Sequence, residues 1–437
     1  MERNQTMRFS EYNSRVNLIS GGEAKLCSSA SFRCSSSVKG MRSDGDGASL
    51  SAWKRIEESC RVKVLKAEAR PLNVPLLAPF TIASSRVEEV NNVAVRVDLQ
   101  VQEQGGEEGG GGVGWGESPI LPRVTAEDQS LALQKANYAA EILQTLPSKS
   151  LGDLLRHVHT LLPGHAFASV RAGVEMAVID GVANSIGLPL WQIFGGAYDS
   201  ITTDITIPIV TPAEAAQLAA KYAELGFQTL KLKVGKNLDA DIQVLKAIRN
   251  SHPSCSFILD ANEGYTAAEA IQVLQRLHDM GVTPILFEQP VARDDWDGLG
   301  HVSKVAREVY GVSVAADESC RGLLDVQKIV HERLADVINI KLAKVGVLGA
   351  LEIIELTRKE GLQLMIGGMV ETRLAMGFAA HLAAGLGCFK FVDLDTPLLL
   401  SDDPVIGGYQ VAGPVYRFTN AAGHGGFLDW KEQRDDE

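Results

Sequence analysis

From Val62 the chain alternates apolar and polar residues, is interrupted at Pro71, Pro75 and Pro79, and alternates again over Val93–Leu99. That period of two predicts strands on either side of a break at the prolines. A glycine-rich stretch from Gly109 to Gly116 follows and reads as a hairpin loop. Gly109, Gly111 and Gly114 fit a dinucleotide-binding spacing, but no helix opens there, and Glu107 and Glu108 would repel phosphate. Residues 124–146 and 151–162 read as helices, and so does the Ala-rich stretch 168–187. Residues 61–195 therefore predict an α+β unit.

After Gly195-Gly196 the pattern becomes strand, helix, strand, helix. The predicted strands end at Thr206, Lys233, Asp260, Glu288, Asp317, Lys341, Gly367 and Asp393, with spacings of 27, 27, 28, 29, 24, 26 and 26 residues. Eight near-equal βα repeats predict a closed barrel, with a doubly wound open sheet as the alternative. The helices carry the matching period: Ala270, Val273, Leu274 and Leu277 fall on one face of 267–277.

Composition narrows the setting. The 437 residues contain 42 Lys plus Arg against 54 Asp plus Glu, a net charge of −12 with no basic tract. Such a chain is a poor binder of nucleic acid or anionic membrane, and no apolar run reaches the ~20 residues of a membrane span. The six cysteines, Cys27, Cys34, Cys60, Cys255, Cys320 and Cys388, form no CxxC pair and read as reduced intracellular thiols. The first 42 residues hold nine serines, seven Lys/Arg and three acids. This resembles an organellar transit peptide, chloroplast ahead of mitochondrion. A tail with no address, leaving the protein in the cytoplasm, is the alternative. The expected organisation is a leader over 1–55, an α+β capping domain over 61–195, a barrel over 196–400, and a C-terminal segment, 401–437, returning to the cap.

In a (β/α) barrel the strand C-termini build the active site. Here they are polar in an ordered way. Strands three, four and five deliver Asp260, Glu288 and Asp317 to one rim. Three carboxylates so close repel one another unless a cation neutralises them. An all-oxygen set with none of the nine histidines at a strand end favours Mg²⁺, with Mn²⁺ second, over zinc. Ion pairing with lysines, with no metal, is the alternative.

Lys233 and Lys341 end strands two and six, on opposite sides of the ring. A substrate held between them has one amine near each face. Lysine serves as a general base near neutral pH only if desolvation or a nearby cation lowers its pKa. Lys231 shares the strand face of Lys233, so its charge acts in that direction and also suits a substrate carboxylate. A divalent ion between two opposed bases predicts proton abstraction next to a carboxylate, through a metal-stabilised enediolate, with inversion at the α-carbon.

These residues, with Gly114-Trp115-Gly116-Glu117, Leu188-Pro189-Leu190, Lys231-Leu232-Lys233, Asp260-Ala261-Asn262, Glu288-Gln289-Pro290 and Asp317-Glu318-Ser319, resemble the enolase superfamily over roughly residues 61–430. The subgroup is that of the muconate-lactonizing enzymes. The resemblance implies a (β/α)7β modified TIM barrel with an α+β capping domain, catalytic Lys233 and Lys341, and one Mg²⁺ per subunit on Asp260, Glu288 and Asp317. It also allows a homo-oligomer.

Strand eight ends Asp393-Leu394-Asp395, and alternate strand residues face one side. An Asp-x-Asp there resembles the dipeptide epimerases of the L-Ala-D/L-Glu type, in which the pair takes the substrate α-ammonium. The same resemblance implies substrate contacts at Thr206 and Lys231, at Gly368 and Val370 through the backbone, and at Arg86. That arginine falls about one position late in its loop, which opens Ser84 or Ser85 as pocket residues. The expected ligand is thus a dipeptide, Ala-Glu first. The alternatives are N-acylamino acid racemisation, o-succinylbenzoate synthesis or muconate lactonisation, whose substrates lack an α-ammonium, and a non-catalytic binding barrel.

Overall fold

The computed structural model describes residues 50–81, 86–102 and 110–430. The serine-rich leader, Ser84 and Ser85 lie outside the described residues, as do Cys27 and Cys34. The folded chain starts earlier than the boundary at 55: Ser51–Ser59 is a helix whose buried Trp53 stacks on Phe194 at 5.4 Å.

Arg61–Thr81, Arg86–Gln102 and Gly111–Ser118 form an antiparallel meander, with the short Lys149–Ser150 against the first strand. The first strand runs through Pro71 and Pro75 where a break was expected. The reason is its position. Lys149–Ser150 pairs only with Arg61 and Val62, so beyond them this side of the strand is open apart from a bridge between Leu76 and Leu400, and a missing N–H there costs little. The glycines also differ from expectation. Gly112, Gly114 and Gly116 lie within the third strand, and a Cβ on any of them would collide with backbone of the helix Ala168–Ile186. They permit close strand-on-helix packing.

The stretch expected to be one helix over 124–146 is two, Pro122–Thr125 and Gln129–Thr145. Ala126 adopts φ 69°, and the Asp128 side chain caps the second helix by accepting from the Leu131 N–H at 2.8 Å. The meander buries Val93, Val95, Val97 and Leu99 with Ala132, Ala136 and Leu143 of the helices. Its other residues, among them Leu72, Val74 and Trp115, pack with Val370, Leu374 and Trp430. One sheet thus joins the cap helices to the barrel mouth and the C-terminal segment.

The eight barrel strands are Ile205–Ile207, Thr229–Lys233, Ser256–Asp260, Leu286–Glu288, Ser313–Ala316, Val337–Ile340, Gln363–Gly367 and Phe391–Asp393, parallel and in sequential order. Each ends at or within one residue of its sequence-predicted end. Helices fill the seven intervals, and a short 3-10 turn, Thr396–Leu399, follows the last strand, giving a (β/α)7β barrel with an α+β cap. Capping boxes start two of the helices, at Thr211 with Glu214 and at Thr266 with Glu269. Inside the barrel, Ile258, Leu286, Ala315, Val337, Met365 and Phe391 form an apolar layer that closes the floor.

Strands eight and one meet through few bonds. The Asp204 N–H donates to Val392 O at 3.0 Å, Leu394 N–H to Thr203 Oγ1 at 2.9 Å, and Thr206 N–H to Asp395 Oδ2 at 2.6 Å. In the C-terminal segment, Val415–Arg417 pairs with Ser200–Thr202, and Trp430 reaches the cap, donating to Glu68 at 2.9 Å. No helix among the described residues is long and apolar enough to cross a membrane.

Candidate active site

Strand register sets out the polar rim. Lys233 pairs with Asp260, Asp260 with Glu288, and Glu288 with Ala315, two residues before Asp317. Lys231 lies at the centre, fully buried. Its Nζ is 2.6 Å from Asp393 Oδ2, 2.7 Å from Glu288 Oε2 and 3.1 Å from Asp260 Oδ2. Lys233 Nζ is 2.5 Å from Asp260 Oδ2, and Lys341 Nζ is 2.7 Å from Asp317 Oδ2.

The electrostatics follow from burial against pairing. Burial pushes Asp260 up, but Lys233 and Lys231 outweigh it and hold the group at about 2. Burial likewise opposes ionisation of Asp317, yet Lys341 and Lys344 hold it below the usual carboxylate range. Glu288 is pushed up to about 7 by burial and by the charge of Asp260, Lys231 offsetting only part. Burial would lower Lys341, but Asp317 holds it above its ordinary value. Paired with Asp317, Lys341 is held as an ammonium.

Asp260, Glu288 and Asp317 suit a hard divalent cation. They are buried, all-oxygen donors, and the partners of Glu288 Oε2 and Asp317 Oδ2 are lysine ammoniums at 2.7 Å, the kind of charge a cation would replace. Lysine ammoniums hold them here, the arrangement set against a metal when the sequence alone is read. Among the described residues, the one group of three acids whose oxygens lie within 4.8 Å of one another is Asp204, Asp393 and Asp395.

A single cavity over the barrel mouth gathers most of the expected residues. Its lining includes Thr206, Lys233, Lys341, Gly368, Val370, Asp393 and Asp395, with Phe80 and Val87 from the cap. Lys231 and the three expected metal ligands lie beneath it. Arg86 is not brought in. It is exposed, and its Nε donates to Glu88 Oε1 at 3.2 Å; the neighbouring Val87 takes the lining position. The reason is strand alternation: Arg86 and Val87 lie at the start of an antiparallel strand and face opposite ways.

The loop after strand seven is braced from the cap. Buried Glu117 accepts from Thr372 N–H and Oγ1, at 3.1 and 2.6 Å, and from Asn92 Nδ2 at 2.6 Å. Asn92 Nδ2 also donates to Val370 O at 3.0 Å, so that carbonyl already carries one bond. The end of the Met376 side chain fills the space a Cβ on Gly368 would take.

Several residues at the site escaped the sequence reading. Lys344 Nζ lies 2.5 Å from Asp317 Oδ1, one turn into the helix after strand six rather than at a strand end. Asn339 Nδ2 donates to Glu288 Oε1 at 2.8 Å; it lies two residues before Lys341, a spacing that signals the same strand face. Gln289 Oε1 accepts from Asp317 and Ser319 N–H groups at 2.9 and 3.1 Å. Gln289 and Asn262 hold left-handed φ angles of 34° and 41°, strain characteristic of functional strand ends.

Residues 214–432 match the family of enolase C-terminal domain-like proteins. The L-Ala-D/L-amino acid epimerase of Populus trichocarpa is 68% identical over 378 residues, 86% of this chain and 88% of that protein. The substrate-liganded L-Ala-D/L-Glu epimerase of Bacillus subtilis superposes with a TM-score of 0.76 at 34% identity, covering 84% of this chain and 99% of that one. The dipeptide epimerase of Enterococcus faecalis, complexed with Mg and L-Leu-L-Tyr, gives 0.73 at 31% identity, covering 83% and 99%. The chain belongs to the enolase superfamily, in the company of its dipeptide epimerases.

Proposed function

We infer that the protein is a dipeptide epimerase, an isomerase that inverts the α-carbon next to the free carboxylate by 1,1-proton transfer. One observation carries this reading: Lys233 and Lys341, two candidate bases, line the same small cavity as Asp393 and Asp395. Asp260, Glu288 and Asp317 would hold one Mg²⁺ per subunit, with Mn²⁺ second. A bound ion would supply positive charge that polarises a substrate carboxylate and offsets the negative charge that develops as the α-proton leaves.

The remaining steps belong to the chain. Asp393 and Asp395 take the dipeptide's α-ammonium by charge-assisted hydrogen bonds, and Thr206 N–H orients Asp395. Lys231 ties strand eight to the carboxylates of strands three and four, and from beneath the cavity its charge would favour a substrate carboxylate. Where a cation takes over Asp260 and Asp317, the two lysines lose their acid partners; one of Lys233 and Lys341, as the neutral amine, then removes the α-proton, and the other, as the ammonium, returns a proton to the opposite face. Both side chains are under a tenth exposed, which limits loss of that proton to water. Gly368 and Val370 border the substrate through their backbone.

The described wall offers Phe80, Val87, Leu121 and Val124 to the side chain of the epimerised residue. It therefore suits apolar residues as well as the Ala-Glu first expected, and Arg86 contributes through its strand rather than its charge. Substrates of the racemase, synthase and lactonizing alternatives lack the ammonium that Asp393 and Asp395 are placed to bind. The composition of the first 42 residues, with the plant relative, supports an organellar address, and a homo-oligomer remains part of the proposal by family likeness. Incubating Mg²⁺-loaded protein with a panel of L,L-dipeptides, L-Ala-L-Glu and L-Ala-L-Phe among them, tests the reading. New diastereomers are expected, and none across the panel would contradict it.

A further inference from the structure

Asp204 lies two residues before Thr206, immediately ahead of the first barrel strand, where its N–H bonds Val392 O of strand eight, and it is outside the cavity lining. It is 3% exposed, and among the described residues neither carboxylate oxygen has a hydrogen-bond partner. Asp395 Oδ1, 1% exposed at the residue level, is unpartnered as well. Oxygens of Asp204, Asp393 and Asp395 lie within 4.8 Å of one another. A buried carboxylate without partners is costly, and the one ammonium at ion-pair distance from the group, Lys231, reaches only Asp393 and is shared with Glu288 and Asp260, so the group is short of positive charge.

The neighbouring charges locate the shortfall. Lys231 is shared among Asp393, Glu288 and Asp260, so Asp393 faces the cavity already paired. Asp395 and Asp204 have no ion pair among the described residues, so they are where a further positive charge is wanted. Burial, then Asp393 and Asp395, drive Asp204 well above the usual carboxylate range, and a cation entering the group favours its charged form.

We propose that Asp204 is the third acid of the ammonium subsite, a positioning residue behind Asp393 and Asp395 whose charge draws a dipeptide's N-terminal ammonium between them. This rests on the assignment of Asp393 and Asp395 given above. Asp204 does not touch the substrate. It acts through the pair, restoring the negative charge that Lys231 removes, and selects substrates with a free amine over acylated or des-amino ones.

Asp204→Asn tests this with two ligands differing only at the ammonium: an L-Ala dipeptide and the matching N-propionyl amino acid, the latter measured as an inhibitor. The expected result is a drop of about 10-fold or more in the preference for the dipeptide, falling on KM more than on kcat. The melting temperature should hold, because burial favours the protonated acid at Asp204 and Asn keeps its size and polarity. Asp204→Glu, which keeps the charge, should recover part of the preference. An unchanged preference, or equal loss for both ligands with a lower melting temperature, overturns the proposal. Asp395→Asn separates the two levels. If it abolishes the preference and Asp204→Asn does not, only Asp204 is misassigned; if neither does, the ammonium subsite itself is wrong. Should Asp204→Asn fail to fold, Asp204→Ser is read in the same way, and failure of both to fold overturns the proposal in favour of a purely structural role.

Discussion

Lys231 Nζ stands 2.6 Å from Asp393 Oδ2, joining barrel strand two to strand eight across 162 positions of sequence. The same ammonium touches Glu288 and Asp260, so one buried cation links the carboxylates expected to hold a metal to those expected to hold a substrate ammonium.

Removing that cation leaves three buried carboxylates short of charge. Lys231→Met is expected to cost about 3–5 kcal/mol in metal-free buffer, the range for breaking a buried pair by deleting one partner. Because a divalent ion neutralises part of the excess, the melting temperature should recover more on adding Mg²⁺ than it does for the unaltered protein. Thermal melts in EDTA and in Mg²⁺ check both parts.

Asp260→Asn should move the same reading the opposite way. Removing one carboxylate relaxes the repulsion while weakening the cation site. The Mg²⁺-dependent rise in melting temperature should shrink, since ligand stabilisation scales with concentration over Kd. A rise equal to that of the unaltered protein would place the metal elsewhere.

A pH effect is expected away from the site. Glu127 is buried, accepts from Ser169 and Val170 N–H groups at 3.1 and 3.2 Å, and is pushed by burial from 4.5 up to about 7. A folded-state pKa above the unfolded one means that the folded chain binds this proton more tightly. Its stabilisation is complete below the unfolded pKa and is lost as pH rises through about 7. Glu127→Gln should therefore gain on the unaltered protein by roughly 1–3 °C in melting temperature between about pH 5 and pH 8. Melts across that range check the sign.

The barrel was legible because every strand ends on a polar or small residue after an apolar run, and the repeat resets that signal every 24 to 29 positions. Asp393 was legible for the same reason, as a strand end; Asp395, expected on the same strand, lies two residues beyond it in helical backbone before the turn Thr396–Leu399, and still lines the cavity. What stayed hidden depends on contacts between distant segments. Trp53 belongs to a helix masked by the polar leader beside it, and stacks on Phe194, which no local pattern indicates. Pro71 and Pro75 read as a break because nothing local shows that the partnering strand ends after Val62. Lys344 and Asp204 lie off the strand ends, on a following helix and immediately ahead of the first barrel strand, so only the closed ring brings them to the site. Arg86 is the converse case: its charge type suits a second carboxylate, but its strand parity turns it to Glu88.

Two-base proton transfer is tested most directly by Lys233→Ala and Lys341→Ala in D₂O with Mg²⁺, each given both epimers of one L-Ala dipeptide. Neither variant should interconvert the epimers, and each should still exchange the α-proton of one epimer for deuterium, the two variants acting on opposite epimers. Epimerisation by either variant at the unaltered rate, or exchange of the same epimer by both, would contradict a mechanism with one lysine on each face.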